Sequence, residues 1–211
     1  MPGKGEERAR PRLSPRNKRA EIVAVATEFF GENGYEDTKW ADVAAAVGVG
    51  PTALYHYFES KQHCLFEILA EAIEDFHGRF TRASGEGDFA VALPAVLGAC
   101  FELNDREVRR NRVLVAEQGL VRHPRPAPRE EEARRRALDV GREYMAGWRD
   151  FLAAGMAAGA IPETDPLLLA RLLIGAYNSA WQWYRPEGDI GPAALADFYV
   201  PRLLVIAGLP G

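Results

Sequence analysis

The sequence predicts an all-α fold, with a small N-terminal three-helix unit and a larger helical body behind it. Three observations carry this. Apolar residues recur at three- and four-residue steps along most of the chain. Capping residues stand where those runs begin, and glycine or proline stands where they end. No convincing run alternates apolar and polar residues as a half-buried strand would.

The elements follow in order. Residues 1–14 are rich in Pro, Gly and Arg and are expected to form a disordered basic arm. Ser14 can cap a first helix, and Pro15 suits its first position. Ile22, Val25, Ala26, Phe29 and Phe30 form its apolar stripe, and Asn33-Gly34 ends it. A second helix, from Lys39 to about Val47, is expected after Thr38 as N-cap. Trp40, Val43, Ala44 and Val47 share one of its faces, and Gly48 terminates it. A third, short helix covers Pro51 to Tyr57. A fourth starts at the N-cap Ser60 and continues through Leu65, Ile68, Leu69, Ala72 and Phe76. Further helices are predicted near 88–104, 107–120, 130–158, 165–183 and 192–207. The stretch HPRPAPREEE (123–132) reads as a loop. Gly159 stops one helix, and Asp165-Pro166 caps and begins the next.

Composition bounds the class. Apolar residues make up 47% and charged residues 27%, ordinary values for a soluble globular chain. The longest apolar candidate, Pro166 to Trp183, is interrupted by Arg171, which argues against a membrane span. The N-terminus lacks the apolar segment of a secretory signal, and two cysteines are too few for a disulfide scaffold. A cytoplasmic protein with reduced thiols is expected. The net charge of −4 is unevenly placed. Residues 1–20 carry seven Lys/Arg against two Glu, a net +5, which leaves −9 for the rest. A basic arm on an acidic body fits an anionic partner at one end. Residues 21–63 hold only Lys39 and Lys61 against seven acidic residues, so any nucleic-acid contact there must use localised donors.

The stretch GVGPTALYHYFESK (48–61) sets aromatic rings behind a glycine turn. Short helix, glycine turn, short helix is the helix-turn-helix pattern, whose second helix enters the DNA major groove. Leu54 and Phe58 are four apart and are expected to point inward at Val43 and Val47. Thr52 and His56 lie on another face, flanked by Tyr55 and Tyr57. Tyr55, His56, Tyr57 and Lys61 can donate to phosphates. Thr52, with small Ala53 beside it, can meet base edges. Arg16, Lys18 and Arg19, at the start of the first helix, are placed to reach phosphates as well.

The run FGENGYEDTKWADVAAAVGVGPTALYHYFESKQHCLFEIL resembles the DNA-binding segment of TetR-family transcriptional regulators. The likeness covers about Arg16 to Leu69. It rests on the phenylalanine pair before Asn33-Gly34-Tyr35, on Thr38, Val43-Ala44 and Gly48-Val49, and on Leu54 to Phe58 with Ser60-Lys61. Lys39 stands where a small hydroxyl residue is common, and Gly50-Pro51-Thr52-Ala53 replaces a commoner polar run. The resemblance adds Thr38, Lys39 and Gly50 to the expected DNA contacts. It divides the chain into a DNA-binding domain, 15–63, and an effector-binding and dimerisation domain, 64–211.

Asp165 to Trp183 is apolar on nearly every face, so it must be covered on all sides. Together with 192–207 it suits a two-fold four-helix interface between two copies. The resemblance agrees, since TetR-family proteins dimerise through their last two long helices. A homodimer would offer two recognition helices to a palindromic double-stranded operator. Phe76, Phe101, Leu114, Gln118, Tyr144, Trp148, Phe151, Tyr177 and Trp181 are expected to line a small-molecule pocket. Family members usually hold an effector there, and its binding weakens DNA binding. The segment SAWQWYRPEGDIGPAALADFYVPRLLVIAGL is similar to the end of a TetR subgroup linked to lipid and steroid catabolism. That implies a repressor released by a small hydrophobic effector, with an acyl-coenzyme A as the candidate. Arg109, Arg110 and Arg112 are expected near the coenzyme A phosphates. The alternative is a DNA-binding regulator without a ligand. No enzyme motif is present, no cofactor is expected, and His63-Cys64 project in different directions, which speaks against a metal site.

Overall fold

Nine α-helices and no strand occur among the residues described, 14–85 and 87–209, of the computed structural model. The arm expected at 1–14 lies, but for Ser14, outside the described residues. Helix α1 (Pro15–Asn33) begins as the sequence predicts. The Ser14 hydroxyl accepts the Asn17 amide, and Gly34 closes the helix at φ 86°. Helix α2 (Trp40–Ala46) differs at its start, because Thr38 does not cap it. Lys39 is the N-cap and makes no side-chain bond. The Thr38 hydroxyl instead turns inward and donates at the carbonyls of Gly34 (2.7 Å) and Phe29 (3.1 Å), tying the end of α1 to the start of α2. Gly48 makes the following turn at φ 69°, a left-handed conformation suited to glycine. Helix α3 (Pro51–Tyr57) follows, and then α4 (Lys61–Ser84), whose N-cap Ser60 accepts the His63 amide.

In the body, α5 (Phe89–Ala99) ends earlier than expected. Asn104 is the cap of α6 (Asp105–Glu117), not the end of α5: Asn104 and Glu107 bond each other's backbone amides in a capping box. A short 3₁₀ turn follows at Gln118–Arg122. Pro128 is the first residue of α7 (Pro128–Ala157) rather than part of the loop, since proline lacks only an amide that a helix start leaves unused. Helices α8 (Pro166–Trp183, capped by Asp165) and α9 (Pro192–Ala207) fall where the pattern put them.

Two buried clusters organise the chain. One joins α1, α2 and α3 around Ile22, Phe30, Val43, Leu54 and Phe58, and is completed by Leu65 to Ala70 of α4. The other gathers Phe76, Phe80, Leu93, Phe101, Trp148, Leu173 and Trp181 in the body. Fully burying side chains of this size stabilises by about 1.5–3 kcal/mol each. Helix α4 therefore runs through both clusters, and the expected boundary at 63/64 falls in its first turn. Helix α7 passes α5 so closely at Gly155 that a Cβ there would lie 2.4 Å from the Phe89 ring.

Candidate nucleic-acid interface and internal cavity

Leu54 and Phe58 are fully buried against Val43 and Val47, which fixes which way α3 faces. Arg16, Lys39, Gly50, Thr52, Tyr55 and His56 are exposed, and Tyr55 keeps 54% of its surface. Ala53 and Tyr57 are half-buried at the edge of this face. The face is thus that of a short polar and aromatic helix, with Arg16 and Lys39 as cations at other exposed positions of the unit.

Four expected donors are engaged elsewhere. Thr38 is buried and bonded inward, so it does not face DNA. The Lys61 ammonium meets three carbonyls, of Tyr35 (2.6 Å), Thr38 (3.0 Å) and Glu36 (3.2 Å), and lies over the Tyr35 ring. An ammonium has three protons, so this fills its donors and makes Lys61 the clasp of the 35–38 turn, not a phosphate ligand. Lys18 bonds the Val47 carbonyl and Glu21. Arg19 lies over Phe58 and pairs with Glu67 at 2.8 Å.

Glu67 is the hub of that pairing. Arg136 of α7 meets its other oxygen at 2.7 Å, and His63 Nε2 lies 3.8 Å away. Burial pushes this carboxyl up. His63, Arg19 and Arg136 more than offset that and hold it at about 2. One carboxylate therefore joins α1, α4 and α7.

Behind this unit the body holds a half-open cavity of about 640 Å³. It lies between α4, α6, the 3₁₀ turn, α7 and α8. Phe76, Leu114, Gln118, Tyr144 and Tyr177 line it as expected. Phe101, Trp148, Phe151 and Trp181 do not. They pack edge-on and tilted against Phe80, Tyr144 and Tyr177 as the core behind the wall. Such large rings fill space, whereas the cavity survives where side chains are small or flexible, at Ala137, Gly141, Met145 and Ala146.

Asn111 Nδ2 donates to the Tyr177 hydroxyl at 3.1 Å, and that hydroxyl donates to the Cys100 carbonyl at 2.9 Å. Burial raises the Tyr177 and Tyr144 phenols, so both stay neutral. The arginines 109, 110 and 112 are not at this cavity's wall. Arg109 pairs with Glu28, Arg110 with Asp75, and Arg112 bonds the Gly31 carbonyl. The wall is basic through other residues, namely Arg122, Arg142, Arg149 and Arg171. Leu138, Arg142, Met145 and Arg149 repeat at three- and four-residue steps on α7, and that mixed stripe was the available sequence signal.

A buried-core helix-turn-helix with an exposed third helix, set on a helical body with a ligand-sized cavity, defines a DNA-binding regulator. The family follows from comparison. Residues 22–68 match the family described as bacterial regulatory proteins, tetR family, and residues 124–206 match the tetracyclin repressor-like C-terminal domain. The chain belongs to the TetR family; it is a transcriptional regulator and not an enzyme. It is 27% identical over 189 residues to the HTH-type transcriptional repressor KstR2 of Rhodococcus jostii RHA1, covering 89% of each chain. Among solved structures it resembles the ketosteroid transcriptional regulator KstR2 of Mycobacterium tuberculosis, with a TM-score of 0.70 at 23% identity over 94% of this chain and 97% of that one. It also resembles AibR in complex with isovaleryl coenzyme A and operator DNA, with a TM-score of 0.73 at 21% identity over 88% and 97%. These two structural likenesses establish the fold. No helix among the described residues is long and apolar enough to cross a membrane.

Proposed function

We propose that this chain is a dimeric repressor whose operator binding is relieved by a small hydrophobic effector with an anionic head, an acyl-coenzyme A of lipid or steroid catabolism. The observation that carries the ligand is the composition of the cavity wall. Ile73, Phe76, Leu114, Leu138 and Met145 suit an acyl chain or fused ring. Arg122, Arg142, Arg149 and Arg171 suit phosphates, which guanidinium groups bind in bidentate fashion. The relatives support the reading. One is a repressor, one is named a ketosteroid regulator, and AibR was solved with a coenzyme A thioester and DNA.

Residues 15–63 form the DNA-binding domain in this reading, and 64–211 hold the effector and the dimer interface. Thr52, with Ala53, reads base edges, while Gly50 lets the backbone approach. Tyr55, His56, Tyr57, Arg16 and Lys39 fix the register on phosphates. Dimerisation uses the outer faces of α8 and α9. Leu168 and Leu172, four apart on α8, and Phe198 and Val205 on α9 keep 53–63% of their surface in the single chain. An apolar stripe of this kind is what a two-fold partner covers.

The test is fluorescence anisotropy on DNA from upstream of the chain's own gene, across a salt series. Palmitoyl-coenzyme A and a steroid-ring acyl-coenzyme A are added, with the matching free acids as controls. Specific binding released by a thioester and not by its acid supports the whole reading. Binding that ignores both thioesters keeps the regulator and removes this ligand class. Thr52→Ala should relax preference at one or two base pairs, and a uniform loss across sequences would remove Thr52 from base readout.

A further inference from the structure

The start of α7 sits at a junction of three helix ends. Its own first turn has no side-chain cap from Ala127. The cap comes from another element: the Glu130 amide donates to the Glu59 carboxylate at 2.9 Å, and Glu59 lies in the turn between α3 and α4. A carboxylate there also meets the positive end of the α7 dipole. In return, α7 caps α3. Arg129 Nη2 donates to the Tyr57 carbonyl at 2.8 Å and Nη1 to the His56 carbonyl at 3.5 Å, where α3 leaves acceptors unused. The third end is that of α4. Ser60 Oγ, already accepting the His63 amide, donates to Glu130 Oε2 at 2.6 Å.

Each of these bonds crosses about 70 residues of sequence, from 56–60 to 129–130. They join the helix proposed to read DNA to the helix that forms one wall of the cavity. Helix α3 has only seven residues, too few to hold itself by its own ladder, so its orientation depends on what grips it. Helix α7 is a single run of 30 residues. Its cavity-lining part, Ala137 to Arg149, begins about 12 Å along the axis from Arg129. A continuous helix carries a rotation or shift over that distance without a hinge.

We propose that this reciprocal cap, with Arg129 as its positioning residue, is the joint through which the occupied cavity turns the recognition helix. The inference rests on the effector reading above for its trigger, but the joint itself can be tested without a ligand. Hydrogen exchange is measured on the full chain for wild type, Arg129→Met, Arg129→Lys and Glu59→Gln. Arg129→Met should speed exchange of the amides in 54–58 by about threefold or more. Glu59→Gln should do so in 129–132 and in 54–58 together, and Arg129→Lys should restore part of the α3 protection. A change confined to the mutated element would overturn the joint.

The effector arm then uses operator anisotropy with palmitoyl-coenzyme A, and the change in tryptophan fluorescence on its binding. Arg129→Met should bind the thioester as wild type does, while the ratio of operator affinities without and with it falls to below about twofold. An undiminished ratio would also overturn the proposal. If wild type ignores the thioester, the ligand reading fails, and the exchange arm alone judges the joint.

Discussion

Gly141→Leu should raise stability and weaken effector response in the same protein. Gly141 lies inside α7 on the cavity wall. A Cβ there meets only Ile73 Cδ1, at 3.8 Å, an ordinary contact. Its backbone is helical, so glycine is not required, and glycine inside a helix costs about 0.5–1 kcal/mol relative to alanine. Replacing it should return that amount, which corresponds to a melting temperature higher by roughly 1–4 °C for a chain of this size. The remaining leucine carbons project into the space an acyl chain would occupy. Loss of even one good apolar contact set of about 1.4 kcal/mol weakens ligand binding about tenfold. The assay pairs a thermal melt with operator anisotropy over a thioester titration. Operator affinity without ligand should match wild type, and the releasing concentration should rise at least about tenfold. A more stable variant released at the wild-type concentration would place the ligand elsewhere. A less stable one would mean that the cavity is not open at this position.

Glu67→Gln should cost about 2 kcal/mol near neutral pH, because Arg19 and Arg136 lose their shared partner and Arg136 is partly solvated. Its folded carboxyl sits at about 2, below the ordinary 4.5, so that stabilisation is full above pH 4.5 and fades as pH falls toward 2. Urea midpoints of the two proteins should therefore differ at pH 6 and converge near the acid end; a constant gap would refute the assignment. Lys61→Met should lower stability by about 1.5–3 kcal/mol through the three lost carbonyl bonds and leave the salt slope of DNA binding unchanged. Arg16→Gln should instead flatten that slope by about one with little change in the melt. Leu172→Glu should convert the dimer to a monomer in sedimentation velocity, and an unchanged dimer would move the interface off α8.

The caps were legible because their chemistry is local. Ser14, Ser60, Asp165 and Gly159 act within a few residues of themselves, and sequence spacing reports such contacts directly. The facing of α3 was legible for the same reason, since Leu54 and Phe58 fix its buried side. Lys61 and Thr38 were misplaced because their partners come from the end of α1 and the turn after it, 4 to 26 residues away in sequence. Each residue type suits a phosphate or a cap equally well until that turn is known. The arginines of α6 failed in the same way, being paired with α1 and α4 across long separations. The cavity was legible as a place and as part of its wall, through Phe76, Leu114, Gln118, Tyr144 and Tyr177. Phe101, Trp148, Phe151 and Trp181 are packed behind it, and the rest of the wall includes small or flexible residues that a search for large rings passes over.

The passage of α4 through both buried clusters bears on how such proteins can be recombined. A chimera cut at residue 63 would sever Leu65 to Ala70 from the helices they complete and strand Glu67 away from Arg19. An exchange of sensing bodies should keep α1–α4 with their own α7 start, or else rebuild the contacts of Glu59 and Ser60. With α3 reading DNA as proposed, grafting a new specificity needs much less, since its outward residues can be rewritten while the inward ones stay. In this architecture the transferable part for a biosensor is a surface a few side chains wide, not a detachable domain.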